Sequence, residues 1–342
     1  MKRRRVWQRI VSLLLVFVMV FTVAEIQPDA DAFAAAKTPL ATHGRLAVKG
    51  ADLVDAKGRK FQLRGVSTHG INWDVGYPYM NKAAFQTLRD DWGANAVRLA
   101  MYTSEYNGYC SGGNQAQLRN QIYKGVKYAT ELGMYVIIDW HILNDNNPNS
   151  HIDDAKEFFD DVSAKYSSNH NVIYEICNEP NGGTSWSDIK SYAEIIIPVI
   201  RKNDKNAIII VGTPNWSQDV DIVSEDPITG YDNIMYAVHF YAATHKDDLR
   251  NKVKTAISNG LPVFVSEFSL CDASGNGGID YDSSDVWFDL INDNNLSYAS
   301  WSLCNKNETS ALIKPDSTAT STITIDDLSD TGKYVRDKIL GN

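Results

Sequence analysis

Short apolar runs rich in Val, Ile, Tyr and Phe recur along the chain: KFQLRGVS (60–67), NAVRLAMY (95–102), MYVIIDWH (134–141), VIYEICNE (172–179), AIIIVGT (207–213), IMYAVHFY (234–241), PVFVSEF (262–268) and SYASWSL (297–303). They are too short and too β-branched for helices, and they are continuous rather than strictly alternating, which predicts strands covered on both faces. Between them lie stretches with apolar residues at helical spacing. KAAFQTLRDDWG and NQIYKGVKYATELG stop at Gly93 and Gly133, and DDAKEFFDDVSAKYSS, SDIKSYAEIIIPVIRKND, HKDDLRNKVKTAISNG and SSDVWFDLINDNN continue the rhythm. Strand–helix alternation of this kind predicts an α/β fold, a single-domain (β/α)8 barrel. A doubly wound open sheet is the alternative, but no Gly-rich phosphate loop follows the first strand. Residues 46–63 read as a small N-terminal β-hairpin ahead of strand one, placed to plug the barrel floor. No internal repeat or second domain is visible.

The first residues change the picture. A basic start with Lys2, Arg3, Arg4, Arg5 and Arg9 precedes the apolar VSLLLVFVMVFTVA and the small-residue DADAFAAAK. That order is a secretory signal, with cleavage after Ala34 or Ala36 fitting the small-residue pattern. The apolar run is short for a bilayer span. Residues 1–36 are therefore expected to be a signal peptide and 37–342 the barrel, and the protein to be secreted and extracellular. The chain carries 33 basic and 42 acidic side chains, and the first 36 residues hold five and three of these, so residues 37–342 carry a net charge of −11. Such a surface repels nucleic acid and anionic membranes and suits a neutral partner. Eight Trp and 17 Tyr supply flat faces of the kind that meet sugar rings. Cys110, Cys177, Cys271 and Cys304 show no metal-ligand spacing. Cys177 lies inside an apolar strand and reads as core. Cys271 and Cys304 follow neighbouring strands, where a bridge fits, although sequence does not fix connectivity.

In such barrels the active site lies at the carboxyl ends of the strands. Strand one delivers His69 with Trp73 just beyond, and strand two carries Arg98. Strand three ends in Asp139-Trp140-His141 and strand four in Asn178-Glu179. Strand six carries His239 and Tyr241, strand seven Glu267 and strand eight Trp301. Any one of these could be structural, but together they need a common reason. Two carboxylates across a barrel mouth suit glycoside hydrolysis, in which one delivers a proton to the leaving oxygen and the other attacks the anomeric carbon. Glu179 follows an apolar strand, the setting of the acid. Glu267 has Arg98 and Tyr241 within reach, the setting of the ionised nucleophile. Asn178 is placed to hold a substrate 2-hydroxyl, and Trp301 to stack on the sugar at the cleavage point.

The stretches RGVSTHG, VRLAMY, IIDWHIL, VIYEICNEPNG, VGTPNWSQDV, YAVHFYAATH and VFVSEF resemble the bacterial endoglucanases of glycoside hydrolase family 5, from about residue 45 to the C-terminus. The resemblance implies a (β/α)8 barrel that hydrolyses β-1,4-glycosidic bonds with net retention and no cofactor or metal. It implies Glu179 as acid/base and Glu267 as nucleophile, with Arg98, His141, Asn178, His239, Tyr241 and Trp301 completing the catalytic shell. His69, Trp73, Trp216, Lys306 and Glu308 are implied to contact glucan. The chain departs from the family at Glu267-Phe268-Ser269, where Gly usually follows the aromatic residue. It also carries Cys304-Asn305 beyond strand eight, where relatives vary. Both places border the sugar cleft.

The expectation is a secreted, monomeric endo-β-1,4-glucanase acting on β-1,4-glucan or cello-oligosaccharide, without nucleic acid or, after signal cleavage, membrane as partner. The absence of long insertions favours an open cleft and endo action, and the absence of a visible carbohydrate-binding module favours soluble or amorphous glucan. The same machinery would serve mannan, xylan, lichenan or xyloglucan, because specificity resides in the loops. Two other classes are a catalytically dead glycan-binding barrel, opposed by the presence of both glutamates, and a metal-dependent hydrolase using His69, His141 and His239, which show no paired-ligand motif.

Overall fold

The computed structural model describes residues 38–341. The signal segment and its cleavage site lie outside the described residues. After a short helix α1 (Pro39–His43), an antiparallel hairpin pairs β1 (Ala47–Lys49) with β2 (Asp52–Val54). Eight parallel strands then close a barrel: β3 (Arg64–Thr68), β4 (Ala96–Tyr102), β5 (Tyr135–His141), β6 (Val172–Glu175), β7 (Ile208–Val211), β8 (Ile234–Tyr241), β9 (Val263–Ser269) and β10 (Ser297–Leu303). They follow chain order around the ring, with β10 returning to β3. The (β/α)8 barrel and its small hairpin are as the hydrophobic pattern predicts.

Long helices cover the outside: α2 (Lys82–Asp90), α3 (Gln115–Glu131), α4 (Ile152–Tyr166) and α5 (Trp186–Asn203) in the first half of the chain. Their starts are locally encoded. Asn81 and Asn114 accept from the amides of Ala84 and Gln117, and Ser185 and Asp188 form a reciprocal capping box. Gly93 and Gly133 follow α2 and α3 with φ of 75° and 63°. After β7 the expected rhythm breaks. A four-residue turn, Pro214–Ser217, and a short helix α6 (Val220–Glu225) replace the long helix. The pattern resumes with α7 (Asp247–Ser258) and α8 (Tyr281–Asp293), and α9 (Asp330–Leu340) closes the ring, a helix the hydrophobic pattern did not single out.

Two large apolar cores result among the described residues, besides a small cluster of Ala100, Tyr102 and Trp301. The larger lies between barrel and helices. The smaller fills the barrel floor, where Leu46 and Leu53 of the hairpin region pack with Leu63, Tyr135, Ile173, Ile210 and Phe264. The hairpin therefore plugs the barrel, held by Tyr135 OH donating to Gly44 O at 2.6 Å and Asn233 Oδ1 accepting from Val48 N at 2.8 Å. Two strand boundaries differ from the sequence reading. Residues 60–63 belong to the exit from the plug, with Lys60 bridged to Val54, and ladder pairing of β3 begins at Arg64. The run at 172–179 ends as a strand at Glu175, because Asn178 and Glu179 must leave the ladder to reach the rim. All four cysteines are free thiols, so no Cys271–Cys304 bridge forms. Among the described residues no helix is long and apolar enough to cross a membrane.

Candidate active site

The carboxyl ends of the strands open into a cleft of about 660 Å³. Glu179, Glu267, His69, His141, His239, Tyr241, Trp301, Trp216, Lys306 and Glu308 all line it, as the sequence reading places them. Arg98 and Asn178 lie beneath its floor and are buried. Trp73 stands outside these walls. Its ring packs on Tyr102 at 4.6 Å between centroids, and its Nε1 donates to Tyr106 O at 2.8 Å.

Glu179 is carried by backbone that outlasts its strand. Asn178 N donates to Trp140 O at 3.2 Å and Glu179 N to Ile142 O at 3.3 Å, so β5 holds the segment in register past β6. Asn-Glu-Pro is then locked from the other side by the Pro214–Ser217 turn. Trp216 N donates to Pro180 O at 2.9 Å and Ser217 Oγ to Asn178 O at 2.6 Å. The turn puts Asn215, Trp216 and Ser217 in the left-handed region, with φ of 58°, 56° and 56°. Such conformations cost of order 1–3 kcal/mol each and concentrate at functional sites. Gly212 precedes the turn because a Cβ there would lie 2.2 Å from Cys177 O.

The two carboxylates have different partners. Glu267 Oε1 accepts from Tyr241 OH at 2.8 Å, and Oε2 from Arg98 NH1 at 3.2 Å. Glu179 Oε1 faces a single side chain, His239 Nδ1, at 2.8 Å. An oxygen of each glutamate and a ring nitrogen of His239 lie within 4.8 Å of one another. Burial lowers the basicity of His239, but hydrogen bonds to Glu175 and Glu179 and the charge of Glu267 outweigh it, and its pKa rises to about 9. Both ring nitrogens then donate, Nδ1 to Glu179 and Nε2 to Ser266 Oγ at 2.9 Å. Burial and the neighbouring Glu267 and Glu179 also push the Tyr241 phenol well above its ordinary value, so it stays a donor.

Beneath the cleft, Arg98 organises a buried charge network. Its Nε donates to Glu175 Oε2 at 2.6 Å, and NH2 meets Glu175 Oε1 at 3.2 Å, Asn178 Oδ1 at 2.6 Å and Asp139 Oδ2 at 3.0 Å. Burial alone raises Glu175, but Arg98 and His239 pull it down to about 2. Burial raises Asp139 well above the carboxylate range; Arg98 opposes this and Glu175 adds to it. Asp139 Oδ1 has no hydrogen-bond partner, so a proton there leaves Oδ2 free to accept. His141 is held neutral, near 3, by burial and by the charge of Arg98. With Nδ1–H donated to Asp139 Oδ2 at 2.6 Å, His141 Nε2 accepts from Asn178 Nδ2 at 3.2 Å. Asn178 Nδ2 also donates to Ile142 O at 3.1 Å. Both of its amide hydrogens are therefore engaged.

Trp301 forms one wall. Its ring stacks on His141 at 5.2 Å and packs on His69 at 5.1 Å, next to Tyr102. Lys306 and Glu308, which also line the cleft, pair with each other at 2.6 Å. The sequence reading missed Glu175, Ser266, Tyr102, His245 and the Ala273–Gly275 segment. Glu175 had a signal: a carboxylate inside an apolar strand must find a cation, and Arg98 is the one buried with it. Tyr102 had the signal of a strand end, whereas His245 and Ala273–Gly275 line the cleft only because of where their loops fold back, which no local pattern announces.

A closed parallel barrel with two carboxylates converging in an aromatic-walled cleft at its carboxyl end is the arrangement of a glycoside hydrolase. Residues 54–307 match the profile of Cellulase (glycosyl hydrolase family 5). The chain is 50% identical to endoglucanase A of Butyrivibrio fibrisolvens over 301 residues, covering 87% of this chain and 69% of that protein. It is 47% identical to an endoglucanase of Clostridium saccharobutylicum over 331 residues, covering 96% and 72%. Among solved structures it superimposes on the cellulase Cel5C_n with a TM-score of 0.85 at 42% identity, covering 89% of this chain and 94% of that one. The catalytic domain of Thermobifida fusca endoglucanase Cel5A (E5), solved with cellotetraose, gives a TM-score of 0.84 at 37% identity, covering 89% and 99%. The chain belongs to glycoside hydrolase family 5, the cellulase family.

Proposed function

We propose that the protein is a secreted, monomeric endo-β-1,4-glucanase that cleaves internal bonds of β-1,4-glucan with net retention. The observation that carries the mechanism is the approach of Glu179 and Glu267 oxygens to within 4.8 Å, with unlike partners on each. Retaining enzymes hold their carboxyl groups about 5–5.5 Å apart, whereas inverting enzymes leave roughly 6.5–9.5 Å for a water.

In the first step Glu267, ionised and aimed by Arg98 and Tyr241, attacks the anomeric carbon. The bond from that carbon to the glycosidic oxygen breaks, and the oxygen takes the proton of the Glu179 carboxyl and leaves as the 4-hydroxyl of the departing chain. A glycosyl ester on Glu267 remains. In the second step Glu179, now a carboxylate stabilised by charged His239, removes a proton from water. The water oxygen bonds to the anomeric carbon, and Glu267 departs as carboxylate. Asn178, oriented by Arg98, is placed for the 2-hydroxyl, where contacts strengthen towards the transition state. Trp301, Trp216 and His69 supply the faces for successive sugars. The open cleft supports attack within a chain, and the net charge of −11 over residues 37–342 is compatible with a neutral polymer. The basic, apolar and small-residue order of the first 36 residues supports export.

The test is viscosity and reducing ends of carboxymethylcellulose together with proton NMR of fresh cello-oligosaccharide hydrolysate. An early viscosity drop with β-anomer formed first is expected. An α-anomer as first product would sink the retaining mechanism, and an intact polymer would sink the glucan assignment.

A further inference from the structure

Away from the cleft, the loop after β4, the loop after β5 and the first turn of α4 bring together a thiol, an imidazole and a carboxylate. Cys110, His151 and Asp154 each offer one ligand atom, and these atoms lie within 4.8 Å of one another. None of the three lines the cleft. We propose that they form a binding site for one thiophilic divalent transition metal, of which zinc is the type.

The donor set is the first argument. Sulfur, imidazole nitrogen and carboxylate oxygen together suit zinc and its neighbours, whereas magnesium and calcium take all-oxygen shells. Zinc lies roughly 2.0–2.3 Å from such ligands, so closure of the trio by about 1 Å completes three sides of a tetrahedron. All three residues are partly exposed, which leaves an entry path and room for a water at the fourth position.

The second argument is unbalanced acid around the trio. His151 is the ion-pair partner of both Asp154, at 4.0 Å from Nδ1, and Asp145, at 3.8 Å from Nε2. Among the described residues no Lys or Arg pairs with either aspartate. Asp145 is buried, its side chain only 1% exposed, and its Oδ1 has no hydrogen-bond partner. A buried carboxylate oxygen left in this condition costs free energy unless a cation or donor serves it. With a metal on the Nδ1 side, His151 turns Nε2–H towards Asp145 and Ser104 Oγ, the latter at 3.0 Å. That is the carboxylate–histidine–metal arrangement that orients a ligating imidazole. The remaining oxygens already have work: Asp145 Oδ2 accepts from Thr103 Oγ1 at 2.7 Å, and Asp154 Oδ1 from Gln115 Nε2 at 3.1 Å. Asp154 Oδ2 is the oxygen turned to the trio.

A metal here would clip the loop after β4 to the start of α4. The first of these carries Tyr106, which receives Trp73 Nε1. Through Asp145, which also accepts from Leu143 N at 3.3 Å, the clip reaches a residue of the cleft wall. The expected effect of the ion is therefore on stability, with the chemical step unchanged.

The experiment is titration of chelator-treated protein with cobalt chloride, followed by absorbance, and with zinc chloride, followed by calorimetry and thermal melting. One ion per chain, a cobalt–thiolate charge-transfer band and a raised melting temperature with zinc are expected. Cys177, Cys271 and Cys304 are fully buried, so a thiolate band from folded protein reports Cys110 without any variant. Cys110→Ser should abolish the band and weaken zinc binding by at least about tenfold, and Asp154→Asn should weaken it similarly. Absence of the band overturns the proposal. So does zinc binding that survives Cys110→Ser unchanged but is lost in Glu267→Gln, because the ion then sits on Glu179, His239 and Glu267.

Discussion

At the floor of the barrel Leu53, Leu63, Ile173, Ile210 and Phe264 close the interior with apolar surface, and the hairpin supplies what the strands lack. A few residues higher along the same strands, Arg98, Asp139, Glu175, His239 and Glu267 fill the equivalent space with charge. Both ends exclude water, but only the floor does so at a profit in hydrophobic free energy. The rim keeps buried ions together through one guanidinium that serves three carboxylates. The contrast separates what keeps the barrel closed from what prepares it for chemistry, and each half should fail in its own way.

The sharpest break lies at the rim. Glu267→Gln should lower kcat on carboxymethylcellulose on the order of 10⁵-fold and lower the thermal melt only modestly, since the amide keeps one acceptor oxygen for Arg98 or Tyr241 and turns its N–H towards the other. Glu179→Gln should instead retain much of its rate on aryl cellobiosides, whose leaving groups need no proton, and azide should rescue the second step. A Glu267 variant that responds to azide as a Glu179 variant should would exchange the two roles.

Arg98→Met tests the network itself. It leaves Glu175, Asp139 and Glu267 without their shared cation, and should cost about 3–5 kcal/mol in stability along with most of the activity. Denaturant unfolding with a simultaneous activity assay separates the two losses. At the floor, Leu53→Ala should cost about 2–4 kcal/mol and leave kcat per folded molecule intact. If Leu53→Ala lowers kcat more than stability, the two ends are coupled and the contrast drawn above fails.

The pH response follows from the same residues. Burial holds His69 and His141 near 3 and His245 near 4. The unfolded chain takes up those protons below about 6.5, so stability should fall as pH drops from there towards 4. His239 acts in the opposite sense. Its folded value near 9 makes its contribution complete below about 6.5 and lost as pH rises through 9. Thermal melts from about pH 4 to 10 should therefore peak between these limbs, and a profile flat on the acid side would contradict the neutral histidines. The smallest effect belongs to the outer wall. Trp216→Ala should raise KM about three- to tenfold with kcat nearly unchanged, because it removes a sugar face and not a reacting group.

Much of this architecture was visible along the chain. Continuous β-branched runs between amphipathic helices specify a parallel barrel, and such a barrel exposes function only where its strands end. Glu179 and Glu267 stood out because each sits at such an end after an apolar run. Glu175 was harder to see. It sits inside the run, where a carboxylate looks like an exception until Arg98, 77 residues earlier, arrives beside it. The turn after β7 was invisible for a local reason: three left-handed residues in Asn215-Trp216-Ser217 carry no glycine signature, and hydrogen bonds donated to the carbonyl oxygens of Pro180 and Asn178 hold them in place. Cys271 and Cys304 stay free, each thiol beside the serine two residues before it, Ser269 at 3.7 Å and Ser302 at 3.4 Å, which spacing does not report.

The sequence by itself determined the periodicity, the caps and the placement of two glutamates at strand ends, because these depend on residues a few positions apart. Only the tertiary structure decided which charge meets which. Arg98 reaches Glu175 and Glu267 across 77 and 169 residues of chain, and His239 reaches back 60 residues to Glu179. Those encounters are set by the parallel register and closure of the barrel, which no single strand contains. The different surroundings of the two glutamates, and hence the division of labour proposed for them, come from that closure.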